Sequence, residues 1–204
     1  MNMAARAIHS NAGDLVLLKR DDPRRVKLHD FINQRSLKFG DFTLASGRNS
    51  HYLFQLSLTT MSGEAMSVIC TSILDLMKGL SIQTIGGLES GAVPIAAAVA
   101  LAGYEKGYPV DAFFVRKKRK EHGARQLIEG RIAQGAEVLV VDDVTTGGGS
   151  VIQAIKDVRR EFGCTVHYAL SIVDREQGAA KALADEGVTL VSFFKGSEFD
   201  LNVK

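Results

Sequence analysis

With 204 residues, 46% of them hydrophobic and 24% charged, the chain is long enough for one domain with an ample core. Its net charge of +2 offers no broad basic or acidic face, so charge alone points to neither a nucleic-acid nor a membrane partner. Cys70 and Cys164 lie in apolar segments without CxxC or metal-ligand spacing and read as core thiols of a reducing compartment, and the five histidines form no cluster.

In chain order, the segment through Pro23 is polar and expected to be loose; its apolar patch, Leu15 to Leu18, is too brief for a signal peptide. A helix is expected over Arg24 to Gln34, carrying Val26, Leu28, Phe31 and Ile32. Phe42 to Ala45 and His51 to Gln55 read as the strands of a hairpin, with Ser46 to Ser50 as its turn. Thereafter strands near Gln83, Val110, Glu137, Thr165 and Val188 alternate with helices near Gly63, Ala92, Gly149 and Gln177. Such alternation predicts an α/β fold of βαβ units around a mostly parallel twisted sheet flanked by helices. The most apolar stretch, Gly91 to Gly103, is about 13 residues against the roughly 20 that a membrane helix requires, so a soluble cytoplasmic protein is expected. No repeat or linker divides the chain, and a single domain over 1–204 is expected.

The segment Glu137 to Ser150, EVLVVDDVTTGGGS, carries the most chemical information. Val138 to Val141 form a short apolar run of the kind buried on both faces of a parallel sheet. Val151, Ile152, Ile155, Val158 and Phe162 recur at helical spacing, which puts the glycines at a helix N-terminus. Amides in such a turn point outward unpaired, and the helix dipole adds partial positive charge, so main chain alone is able to hold a phosphate. Asp142 and Asp143 beside an anion site make sense if the ligand also carries hydroxyls, as a phosphorylated ribose does, or a Mg²⁺ ion. Neither a Walker loop nor a GxGxxG turn fits these residues.

Ligands in such sheets bind beyond the carboxyl ends of the strands, where three more loops stand out. Gly86 to Pro94, GGLESGAVP, offers either a second nest of amides or close helix-to-sheet packing. Arg116 to Gly130, RKKRKEHGARQLIEG, opens with five consecutive cations. A run of this kind is usually solvated or a nucleic-acid patch. Here it leaves the apolar strand Phe113 to Val115 at the end that faces the phosphate loop, where cations would neutralise a pyrophosphate leaving group, and Gly123 suggests a mobile lid. Arg175, finally, is either a ligand-binding residue or an ordinary first-turn residue of the next helix, because Asp174 and Gln177 have capping-box spacing.

The run of apolar residues, two acids, Thr, Gly, Gly and Ser resembles the phosphoribosyl pyrophosphate signature of type I phosphoribosyltransferases. RKxxKxHG followed by IEG, the hairpin FTLASGRNSHYLF and DREQGA at Asp174 to Ala179 are similar to segments of the orotate phosphoribosyltransferases, and the likeness runs over most of the chain from Phe39 onward. The resemblance implies that family's fold, with a helix-plus-hairpin hood over 24–60 and a mobile lid over 116–130. It implies transfer of ribose 5-phosphate from phosphoribosyl pyrophosphate to orotate, yielding orotidine 5-phosphate and pyrophosphate, a step of de novo pyrimidine biosynthesis. By position, Arg116, Lys117, Lys120 and His122 would contact pyrophosphate, with Lys117 and Lys120 strengthening their contacts most at the transition state. Asp142 and Asp143 would hold the ribose hydroxyls, and Val144, Thr145, Thr146, Gly147, Gly148, Gly149 and Ser150 would cradle the phosphate. Orotate would lie between Phe54 and Thr146 with its carboxylate on Arg175. Mg²⁺ would be the cofactor, held through substrate more than by protein ligands, and the partner a second copy whose site the lid serves. Four positions depart from the pattern: Ala45 and Gly91 replace a Lys found in some members, His51 the usual Pro, and Gly147 a second Thr. Two other readings of these residues are a phosphoribosyltransferase for a different base and a phosphoribosyl pyrophosphate sensor that binds nucleic acid; the short segment ahead of the first helix and the near-neutral charge oppose the latter.

Overall fold

A computed structural model describes residues 17–43, 47, 49–118 and 126–201. Helix α1, Pro23–Phe31, is capped by the Asp22 carboxylate, which accepts from Arg24 N at 2.8 Å, and begins with proline, whose fixed φ suits a first helical position. The helix expected as far as Gln34 widens after Phe31 into one π-helical turn, Ile32–Ser36, which delivers the chain directly into the hairpin. The hairpin pairs β1, Leu37–Thr43, with β2, Asn49–Phe54, in antiparallel register. Its first strand therefore starts five residues before Phe42, because Leu37 buries into the core while the exposed residues that follow need only the backbone ladder.

The large sheet contains β3 (Thr84–Leu88), β4 (Asp111–Val115), β5 (Ile128–Gly130), β6 (Leu139–Thr145), β7 (Tyr168–Asp174) and β8 (Thr189–Lys195). Their order is β5-β4-β3-β6-β7-β8, and all pairs are parallel except β4 with β5. The edge strand β5 has only three residues and no periodicity to betray it; it lies inside the segment expected to form the lid. Between the hairpin and the sheet come α2 (Ser57–Thr60) and α3 (Gly63–Leu80); the crossovers are α4 (Ala92–Glu105), α5 (Gly149–Phe162) and α6 (Ala179–Asp185). The last helix begins at Ala179 behind Gly178, and no side chain caps it, so the capping box expected from Asp174 and Gln177 does not form.

Strand alternation divides the core into two layers. Leu139, Val141, Leu170 and Ile172 pack with α3, α4, α1 and the hairpin, while Val138, Val140 and Ala169 face Val151, Ile155 and Val158 of α5. Each of these side chains is at most 2% exposed, as expected of strands covered on both sides, and each contributes roughly 1.5–3 kcal/mol on burial for a Val, Leu or Ile. Leu18, in the segment expected to be loose, joins the first layer. Among the described residues no helix is long and apolar enough to cross a membrane.

Candidate active site

Successive strands step one way from β3 to β4 and the other way from β6 through β7 to β8. The order therefore reverses between β3 and β6, and at that switch point the loops leaving the two strands diverge and open a crevice. A cleft of about 680 Å³ lies there, floored by Asp142 to Val151 and walled by Leu88 to Gly91, Lys117, Phe54 and Arg175.

One half of the cleft is main chain. Strand β6 continues through Asp142 and Asp143 to Thr145, farther than the apolar run ending at Val141 suggests, because its pairing with β7 persists to Thr145 and Asp174. Gly148 then takes φ +83°, a left-handed conformation that glycine adopts without a Cβ penalty, and α5 starts at once. Among the described residues the N–H groups of Thr146, Gly147 and Gly148 meet no backbone acceptor. They and the free amides of the first turn of α5 make an anion-binding concavity. A Cβ at Gly147 would touch nothing within 4 Å, so this departure opens the loop without altering its path.

Asp142 and Asp143 sit between that loop and the start of α4. Asp142 is 9% exposed, and burial, reinforced by the neighbouring Asp143 charge, pushes its carboxyl up to about 8. Burial also raises Asp143, against the lowering effect of the Val144 N–H that donates to it at 2.8 Å. Gly91 brings the main chain onto both carboxylates: a Cβ there would collide with Asp142 Oδ1 and stand 2.6 Å from Asp143 Oδ1. Two hard oxygen donors in a dry site suit a divalent cation or sugar hydroxyls. No cluster of three or more His, Cys, Asp or Glu side chains with metal-site geometry occurs among the described residues.

The other half is built from side chains far apart in sequence. Arg175, 5% exposed, donates from its backbone N–H to Thr145 O at 2.9 Å and from Nη2 to Ser50 Oγ at 3.0 Å. Its guanidinium lies 4.3 Å over the Tyr52 ring, while its buried Nε has no hydrogen-bond partner. A buried guanidinium N–H without an acceptor is costly, and the planar guanidinium suits a planar anion. This placement overturns the reading of Arg175 as a first-turn helix residue. Phe54, 3% exposed, closes the same end and meets Tyr52 edge-on at 5.8 Å.

The cations divide. Lys117 lines the cleft, and its backbone N–H donates to Glu89 Oε1 at 3.0 Å. Arg116 does not line it; Nη1 pairs with Glu129 Oε1 of β5 at 3.0 Å. Lys120 and His122 lie outside the described residues, as does Ala45. Sequence reasoning assigned no role to Ser50, Tyr52 or Glu89, although the first two stand within the hairpin motif.

The phosphoribosyl transferase domain family matches residues 69–202. Orotate phosphoribosyltransferase of Rhodopseudomonas palustris (strain BisB18) is 44% identical over 179 residues, covering 86% of this chain and 95% of that protein. The chain belongs to the orotate phosphoribosyltransferase family. Two solved members of that family share the architecture, both from Mycobacterium tuberculosis H37Rv. One, in complex with Fe(III) dicitrate, superposes with a TM-score of 0.76 at 36% identity, covering 88% of this chain and 100% of the other. The second, in complex with 5-phospho-alpha-D-ribosyl 1-diphosphate, gives 0.70 at 33% identity over 86% of this chain and 98% of that one. The phosphoribosyltransferase fold and the orotate-family segments read from the sequence thus agree with what the chain is similar to over most of its length.

Proposed function

We infer that the chain transfers the ribose 5-phosphate group of phosphoribosyl pyrophosphate to N1 of orotate, forming orotidine 5-phosphate and pyrophosphate, a step of pyrimidine biosynthesis. The observation that carries the base assignment is Arg175, which lines a cleft whose opposite half is an amide loop and whose buried Nε has no hydrogen-bond partner. An orotate carboxylate supplies the missing acceptor, and a planar fork matches it in two hydrogen bonds. Phe54 and Thr146 would bound the ring of the base.

Each remaining residue has a chemical task in this reading. The Thr146 to Ser150 amides hold the 5-phosphate, together with Thr145 and Val144 at the strand end, and Asp142 and Asp143 accept from the ribose hydroxyls. Little covalent help is needed: N1 of orotate gives up its proton and bonds to C1 as the C1–O bond to pyrophosphate breaks, so positioning and charge stabilisation dominate. Lys117 lies where it would neutralise the pyrophosphate as the C1–O bond lengthens, and Lys120 and His122 would join it from the lid. The aspartate pair, buried and rich in oxygen, fits Mg²⁺ held through the ribose hydroxyls; when bound, the ion lowers the charge that the leaving group must bear. Arg116, which pairs with Glu129 and does not line its own cleft, fits a lid that serves a second copy in a cytoplasmic homodimer. Val93, Leu101 and Tyr104, exposed on α4 at 36%, 61% and 79%, support association as well.

The test is loss of orotate absorbance with phosphoribosyl pyrophosphate, with and without Mg²⁺, and with purine and other pyrimidine bases as competing acceptors. Mg²⁺-dependent conversion of orotate to orotidine 5-phosphate is expected. Conversion of another base in its place would overturn the assignment, and steeply salt-dependent nucleic-acid binding without turnover would restore the sensor reading.

A further inference from the structure

Arg175 and Phe54 are 121 residues apart in sequence, and both lean on the same short turn at the end of β8. The 3₁₀ turn Gly196–Glu198 and the following Phe199 form that support. On one side, Gly196 packs against the Arg175 main chain: a Cβ there would stand 3.3 Å from Arg175 Cα. Next to it, Ser197 N donates to Glu176 Oε2 at 2.8 Å. Glu176 has φ +57°, a left-handed conformation that a side-chain-bearing residue keeps only when its surroundings hold it there. Its own N–H donates to Asp174 Oδ1 at 3.0 Å, so the residue after Arg175 is gripped from β7 and from the turn.

On the other side, Phe199 meets Phe54 edge-on, with centroids 5.0 Å apart and planes at 67°. Phe199 is itself fixed, stacked on His29 at 4.5 Å and set against Phe194 at 5.7 Å. Arg25 of α1 ties down the same turn, with Nη2 2.6 Å from Glu198 Oε2 and 2.9 Å from Phe193 O. The turn therefore supports both side chains assigned to the base.

We propose that Glu176 and Phe199 are positioning residues of the base subsite: Glu176 holds Arg175 in register through Ser197, and Phe199 sets the plane of Phe54. The proposal rests on the assignment of that subsite to orotate. Neither residue lines the cleft, and each acts through its neighbour.

Steady-state kinetics with orotate and phosphoribosyl pyrophosphate test it on Glu176→Ala, Glu176→Gln and Phe199→Leu, the last chosen to keep an apolar side chain in the core. Glu176→Ala is expected to raise the orotate KM roughly 5- to 10-fold, the size of one typical hydrogen bond lost, with the phosphoribosyl pyrophosphate KM inside about twofold. Glu176→Gln keeps an acceptor for Ser197 N and should return the orotate KM to within about twofold of wild type. Phe199→Leu should raise the orotate KM about threefold and leave the other substrate unaffected, as expected when one aromatic pair is lost. Parallel rises in both KM values, failure of glutamine to rescue, or an unchanged orotate KM in Glu176→Ala and Phe199→Leu would each overturn the positioning role. Wild-type protein that does not use orotate would instead overturn the function reading, and this proposal with it.

Discussion

On the proposed reading, the two halves of the cleft hold their ligands by different means. The phosphate loop is contiguous: seven residues from Val144 to Ser150 supply a strand end, a left-handed glycine and a helix start, and the binding groups are backbone amides. The base subsite is assembled from β2, the end of β7 and the turn after β8, and its binding groups are side chains held by other side chains. A main-chain cradle depends on conformation and tolerates changes of side chain; an assembled subsite depends on each packed neighbour.

Separate damage to the two halves sharpens this contrast. The largest effect is expected from Arg175→Ala, which removes a buried guanidinium: kcat/KM for orotate should fall about 100- to 1000-fold, the range for losing one partner of a buried charge pair. Initial rates at varied orotate check this, and the KM for phosphoribosyl pyrophosphate should stay within about threefold. Gly91→Ala comes next, since its Cβ would strike both aspartates. Displacing them should weaken phosphoribosyl pyrophosphate about tenfold, the scale of a tight steric insertion, and leave orotate affinity alone.

pH acts on the same carboxylates. In the proposed role Asp142 binds ribose hydroxyls and Mg²⁺ best when ionised, so kcat/KM for phosphoribosyl pyrophosphate should climb with pH, by at most about tenfold per unit, and level off above the value of about 8 to which burial pushes that carboxyl. Stability of the unliganded protein should move the opposite way. The folded state holds the proton more tightly than the unfolded chain, whose carboxyl titrates near 3.8, so this contribution is full below that pH and is lost as pH rises through about 8. Thermal melts from pH 6 to 9 with and without phosphoribosyl pyrophosphate would show the two trends. The smallest effect belongs to Gly147→Thr: its Cβ has open space and its φ is not left-handed, so melting temperature and phosphoribosyl pyrophosphate KM should change little, the latter within about twofold.

How legible each half was in the sequence follows from the same contrast. Val138 to Ser150 announced strand, acids, turn and helix in one reading because every determinant lies within a few residues of the next. The exact strand end at Thr145 was not legible, since it depends on pairing with β7 and not on local apolarity. Strand β5 was hidden for a similar reason: its three residues are ordered by β4, with Ile128 opposite Val115. Arg175 was ambiguous in sequence, where capping-box spacing competed with a binding role; Thr145 O, Ser50 and Tyr52, none of them local, hold it outside the helix and beside the cleft. Gly91 looked like a missing cation and proves to be a point of close approach to both carboxylates, which only the three-dimensional neighbours reveal.

The central claim is that one cleft joins an amide phosphate loop to a separately built orotate subsite. Its most direct test follows orotate loss in wild type and Arg175→Ala side by side while phosphoribosyl pyrophosphate is titrated calorimetrically into both. Orotate consumption by the wild type, near-complete loss of it in the variant and equal phosphoribosyl pyrophosphate affinity in the two are predicted; a wild type that leaves orotate untouched, or a variant that loses both ligands together, would contradict the account.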